Sequence, residues 1–104
     1  MMVLDPVLKK FRAAVDEVYG EWLERVVLCG SRARGDARRD SDYDVAVFLR
    51  RPGSLREEAG RIAEIETEIL YETGAVIHAT PFRAGAYEDR TTLMHELRRE
   101  GVDL

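Results

Sequence analysis

The sequence predicts a small α/β domain: a mixed three-stranded sheet with helices packed on it, in the order α-β-turn-β-α-β-α. Three observations carry this reading. Two short apolar runs, Arg25–Cys29 and Asp42–Leu49, are joined by a polar link short enough to allow antiparallel pairing. A long helical pattern separates the second run from a third, Ala75–Phe82, and strand-helix-strand gives a right-handed parallel crossover. The 104 residues fit one domain, spanning 1–104, and leave no room for a second.

Taken in order, Val3 to about Tyr19 has Leu4, Val7, Leu8, Phe11, Ala14, Val15 and Val18 at helical spacing. Asp5 suits the N-cap and Pro6 the first helical position, where a missing N–H does no harm. Gly20 ends this helix. RVVLC at 25–29 is apolar and β-rich and reads as a buried strand. Ser31–Arg39 is polar and Arg-rich, suiting a turn with one helical turn at most. In the strand Asp42–Leu49, Asp42, Asp44, Ala46 and Phe48 share one face, and Tyr43, Val45, Val47 and Leu49 the other. Ser54 and Glu57 match a capping box, opening a helix to about Thr73 whose stripe is Leu55, Ala59, Ile62, Ile65 and Ile69. Gly74 suits its C-terminal cap. After the third strand, a last helix is expected from about Ala86 to Glu100, with Leu93, Met94 and Leu97 as its apolar contacts.

Composition narrows the function. Hydrophobic residues make up 45% and the formal net charge is −4. That balance argues against a broad nucleic-acid surface, so no direct nucleic-acid binding is expected. Cys29 is the sole cysteine, so no disulfide forms within the chain. The N-terminus is charged too early for a signal peptide, and no apolar run approaches the roughly 20 residues of a membrane span. The expectation is a cytoplasmic protein without a membrane partner.

The chemistry concentrates in GSRARGDARRDSDYDVAVFL. Gly30 and Ser31 form a small turn after the first strand. Without Cβ, Gly30 lets backbone approach a ligand, and Ser31 offers a hydroxyl and an N–H to a phosphate oxygen. Asp42 and Asp44, two residues apart in extended chain, point the same way. Paired carboxylates of this kind suit Mg²⁺, which shares its coordination with substrate phosphates. Arg32, Arg34, Arg38 and Arg39 add local positive charge, with Arg32 expected among the nucleotide ligands. The bland alternative is a polar loop before a solvated strand end. Cys29, Trp22, Tyr19 and Phe11 read as packing residues, and His95 as solvated or partner-facing. Two histidines and one cysteine make no zinc pattern.

This segment resembles the signature of the polymerase-beta-like nucleotidyltransferase superfamily, most closely the minimal nucleotidyltransferases that partner HEPN-domain proteins as antitoxins. The resemblance implies that fold. It further implies that Gly30 and Ser31 hold nucleotide phosphates, that Asp42 and Asp44 hold Mg²⁺ and are catalytic, and that AMP passes from ATP to a hydroxyl, a tyrosine's, of a HEPN toxin. One departure stands out: active relatives carry a third acid on the next core strand, whereas Ala75–Thr80 here has none. Val76 or His78 falls at that position, and Glu68 or Glu72 at the end of the preceding helix is a possible substitute. The alternative is a catalytically weakened module of the same fold that neutralises its partner by complex formation. An aminoglycoside-type small-molecule transferase would need a further helical domain, or a second chain, to build its acceptor site.

Overall fold

The computed structural model describes residues 5–104, so the expected helical start at Val3 and Leu4 lies outside the described residues. Helix α1 runs Pro6–Tyr19. The Asp5 carboxylate caps it, accepting from the Val7 N–H at 2.8 Å and the Leu8 N–H at 3.3 Å. Its buried stripe is Leu8, Phe11, Val15 and Tyr19. Strand β1 (Leu23–Cys29) leads into a short helix, α2 (Gly30–Arg34). Strand β2 (Tyr43–Leu49) returns antiparallel to β1, with Cys29 opposite Asp44. Helix α3 (Leu55–Thr73) starts on the Ser54 cap and ends at Gly74. Strand β3 (Ile77–Arg83) then lies parallel to β2, completing the expected crossover. A 3-10 turn at Ala84–Glu88 precedes helix α4 (Thr92–Glu100).

The sheet has four strands, not three. Val102 and Asp103 form a short β4 against Leu28 and Val27, giving the order β3-β2-β1-β4. Two residues carry no periodicity to detect. The last helix is also shorter than expected: it begins at Thr92 rather than Ala86, capped by the Thr91 hydroxyl.

Side chains alternate across β2 as the sequence indicates. Tyr43, Val45, Val47 and Leu49 join β1 and the stripes of α1 and α3 in the larger core. Ala46 and Phe48 face the other way, onto Met94 and Leu97 of α4. There Phe48 stacks on Phe82 and meets Tyr87 edge-on, both at 5.3 Å between centroids. On α3 the buried position is Glu58 rather than Ala59, which is exposed. Glu58 is tolerated there because the Tyr19 hydroxyl donates to its Oε1 at 2.9 Å and Arg61 lies 3.5 Å away.

Strand β3 forms one edge of the sheet. Its Ala79 N–H points away from β2 and is taken by Glu66 Oε2 on α3 at 2.7 Å. Pro81, two residues on, has no N–H to offer. The edge is thus closed to strand addition at two successive positions.

Candidate active site at the open end of the sheet

Strand β1 ends, and β2 and β3 begin, at the same end of the sheet, so chain order alone gathers the candidate residues there. Gly30 follows the last residue of β1 with φ +72°, a left-handed conformation that favours glycine. A second constraint acts on it: a Cβ built there would lie 2.6 Å from Asp44 Oδ2. The Asp44 carboxylate therefore rests directly against the turn that opens with Gly30-Ser31. That contact brings the two halves of the motif together.

Asp42 and Asp44 are both exposed to solvent. His78 relates them. It lies opposite Asp44 in the β2–β3 register, and its Nε2 is 2.9 Å from Asp42 Oδ2. Of the two residues that the sequence leaves open there, His78 is the one beside the aspartates. Val76 precedes the strand, and its carbonyl accepts the Tyr43 N–H at 2.9 Å. The suggested substitute acids lie elsewhere: Glu72 pairs with Lys10 on α1 at 3.6 Å, and Glu68 sits on an exposed face of α3 with Ala63, Glu64 and Thr67. The α3 glutamate that reaches β3 is Glu66, and it is spent on the strand edge.

Arg32, expected from the sequence among the nucleotide ligands, is engaged with the loop before β2. Its Nε and Nη2 donate to the Ser41 carbonyl at 3.0 and 2.6 Å, and Nη2 also reaches the Arg39 carbonyl at 3.1 Å and the Arg38 carbonyl at 3.4 Å. The guanidinium carbon lies 3.9 Å from the centroid of the Tyr43 ring. Arg34 pairs with Asp36 at 3.4 Å, while Arg38 and Arg39 sit on the loop that precedes β2.

Two titratable neighbours are held neutral. Burial, and secondarily the charge of Asp44, push the Cys29 thiol up to about 11, so it is not a nucleophile near neutral pH. Burial, and then the hydrogen bond to Asp5, push the Tyr43 phenol up to about 12. A recess of about 120 Å³ opens beside Asp44 and His78, walled by Thr80, Phe82, Leu93 and Leu97. Leu93, expected to pack, is instead half-exposed at 50%.

Among the described residues no three His, Cys, Asp or Glu side chains converge as a metal cage. The donor set is a pair of accessible carboxylates, and that fits Mg²⁺, which binds through one or two carboxylates and takes its other ligands from water and phosphate.

At one end of a mixed sheet, then, a glycine turn packs against the Asp44 carboxylate, and comparison with known proteins identifies the family that shares this fold. The chain belongs to the nucleotidyltransferase domain family, whose profile matches residues 8–91, and is a nucleotidyltransferase. Over 103 residues it is 25% identical to a Methanocaldococcus jannaschii protein named as a candidate protein adenylyltransferase, covering 99% of this chain and 100% of that one. A crystal structure of a candidate nucleotidyltransferase from Sulfolobus solfataricus aligns with TM-score 0.65 and 19% identity, covering 93% of this chain and 75% of the other. A toxin–antitoxin crystal structure with AMP-PNP aligns with TM-score 0.62 and 17% identity, covering 91% and 70%. The toxin–antitoxin pair MntA-HpeT, in a mutant with two Asp→Glu changes, aligns with TM-score 0.63 and 15% identity, covering 95% and 72%. At these identities the structural likenesses establish the fold.

Three contacts escape sequence reasoning: His78 on Asp42, Arg32 on the loop carbonyls, and Glu66 on the β3 edge. The first is within reach once the register is known, since His78 is one of the two residues that the sequence allows at that position. The other two depend on where a loop and a helix lie in space, for which the sequence carries no signal.

Proposed function

We propose that this nucleotidyltransferase is a Mg²⁺-dependent protein adenylyltransferase, transferring AMP from ATP to a tyrosine hydroxyl of a HEPN-domain toxin and acting as its antitoxin. The observation that carries the reading is the Asp44 carboxylate lying against Gly30, with Asp42 beside it on the same strand end. The name of the Methanocaldococcus jannaschii relative supports protein adenylylation, and the two toxin–antitoxin structures support a toxin partner and an adenine nucleotide.

In this reading the turn at Gly30 lets backbone approach the triphosphate, and Ser31 donates its N–H and hydroxyl to a phosphate oxygen. Asp42 and Asp44 hold the divalent cation. A bound Mg²⁺ neutralises charge on the phosphates and polarises the α-phosphoryl group. The acceptor oxygen forms a bond to the α-phosphorus while the bond from that phosphorus to the α,β-bridging oxygen breaks, pyrophosphate leaves, and the hydroxyl proton passes to solvent water. The recess beside Asp44 and His78 gives the acceptor side chain a route to the α-phosphorus. Most of the rate comes from positioning and charge stabilisation.

The test is labelled ATP and Mg²⁺ with the protein encoded beside this chain: label is expected on that neighbour. Changing Asp42→Asn and Asp44→Asn together is expected to abolish transfer while leaving the thermal midpoint level or higher, because two neighbouring like charges are removed. Absence of label from the wild-type reaction, with several nucleotides and Mn²⁺ also tried, would refute the reading. His78 at the position opposite Asp44, where an acid is expected, favours the second reading of a binding module. Under it the double variant still protects cells from the toxin; loss of protection at unchanged partner affinity excludes it.

A further inference from the structure

The β ladder does not reach Asp42. The β1–β2 pairing stops at Asp44 and the β2–β3 pairing starts at Tyr43, so Asp42 stands one residue outside the sheet. Its carboxylate meets His78 Nε2 at 2.9 Å, but its backbone has no ladder partner and needs another hold. The residues on either side of it are both held by Arg32: the Ser41 carbonyl through two N–H donors and the Tyr43 ring through stacking. Tyr43 is anchored in turn, its hydroxyl donating at 2.7 Å to Asp5 Oδ2, while Asp5 Oδ1 caps α1. Arg32 itself follows Ser31 directly, so the same side chain ties the phosphate turn to the strand that carries the carboxylates.

The two faces of the sheet separate this role from phosphate binding. Arg32 lines a cavity of about 200 Å³ with Asp5, Leu8, Leu28 and Tyr43, on the α1 side. Asp44 and His78 line their recess on the opposite side, toward α4. The guanidinium therefore lies behind the strand, with two of its three nitrogens spent on loop carbonyls.

We propose that Arg32 and Tyr43 are positioning residues for Asp42, a clamp behind the strand that sets the carboxylate where the sheet does not reach. This rests on the reading of Asp42 as a cation ligand. Lysine is the informative replacement. It keeps the charge that a phosphate ligand needs, and loses the planar fork and the stacking that a clamp needs.

The experiment compares wild type, Arg32→Lys, Arg32→Ala and Tyr43→Leu in the full chain, each first shown to melt cooperatively. Binding of ATP alone and of ATP with Mn²⁺ is measured by calorimetry and electron paramagnetic resonance. Amide exchange at Ser41, Tyr43 and Val47 is followed by NMR. The clamp predicts that all three variants, lysine included, weaken the Mn²⁺-dependent increment of binding about 10–100-fold, as loss of a residue supporting a metal ligand does. It predicts metal-free ATP affinity within about threefold of wild type, and exchange accelerated at Ser41 and Tyr43 but not at Val47. Full rescue by lysine, with exchange at Ser41 and Tyr43 unmoved, would overturn the proposal and return Arg32 to the phosphates. Should wild type itself show no Mn²⁺-dependent increment, the cation reading of Asp42 fails, and the exchange data still decide whether Arg32 and Tyr43 fix this segment.

Discussion

Gly30 is constrained twice, by its own backbone and by its neighbour, and the two constraints separate experimentally. Gly35 has φ +83° with nothing within 4 Å of the place a Cβ would take, so alanine there meets backbone strain alone. At Gly30 the added methyl also collides with the Asp44 carboxylate. Alanine at either site is expected to cost about 1–2 kcal/mol, roughly 4–8 °C or more in thermal midpoint for a domain of this size. Only Gly30→Ala is expected to lose ATP binding in the presence of Mn²⁺, by about a hundredfold, because Asp44 must move. Equal binding losses in the two variants, at equal stability, would show that the contact with Asp44 is irrelevant. The residue types of this site are legible in the sequence because they are local: a glycine after a strand, and carboxylates at i and i+2. Their partnerships are not. Arg32 reads as a phosphate ligand because charge is visible in a sequence, whereas the carbonyls that accept from its Nε and Nη2 become neighbours only once the 35–42 loop folds back on α2.

At the scale of elements, β3 carries the risk. It is an edge strand of seven residues, and exposed edges invite pairing with other chains. Glu66 fills the place of a neighbouring strand at Ala79, and Pro81 leaves no donor at the next outward position. Glu66→Ala is expected to lower stability by about 1 kcal/mol and to increase concentration-dependent association, read by size exclusion with light scattering. Glu66→Gln, which keeps a carbonyl acceptor, should behave as wild type. An alanine variant with unchanged melting and mass would show that the side chain does not guard the edge. The elements with long periodic patterns, α1 and α3, are readable from sequence, as are the caps at Asp5, Ser54 and Gly74. Strand β4 is not, since its two residues pair only because α4 returns the chain to β1. The α3 stripe differs from the periodic pattern at its first two positions: Leu55 is only partly buried, and Glu58 is buried instead of Ala59, because a carboxylate is buried only where a partner such as the Tyr19 hydroxyl awaits it. The start of α4 falls later than its pattern suggests because residues 84–88 take a tighter 3-10 turn whose Tyr87 packs on Phe48.

At the scale of the whole molecule, the sheet is covered on both faces and the candidate site lies at one end, so groups that titrate at high pH are packed into the two cores that flank the strands carrying it. Cys29, Tyr43 and Tyr19 all have raised values, each chiefly through burial. A group whose folded value exceeds its unfolded one binds protons more tightly when folded. Its contribution to stability is complete below the unfolded value and is lost as pH rises toward the folded one. For Cys29 that window runs from 9.0 to about 11, and for Tyr43 from 10.0 to about 12, with Tyr19 raised in the same direction. Ionisation also adds negative charge to a chain already at −4. Thermal midpoints should therefore hold level through neutral pH and fall progressively above about pH 9, and Cys29→Ala should delay the onset to about pH 10. A midpoint level to about pH 11, or an onset that Cys29→Ala does not move, would mean these groups are solvated in solution. Tyr43 makes the same measurement bear on function, since loss of its proton removes the hydrogen bond to Asp5 that anchors the strand between Asp42 and Asp44. Binding of ATP with Mn²⁺ should accordingly weaken together with the alkaline loss of stability.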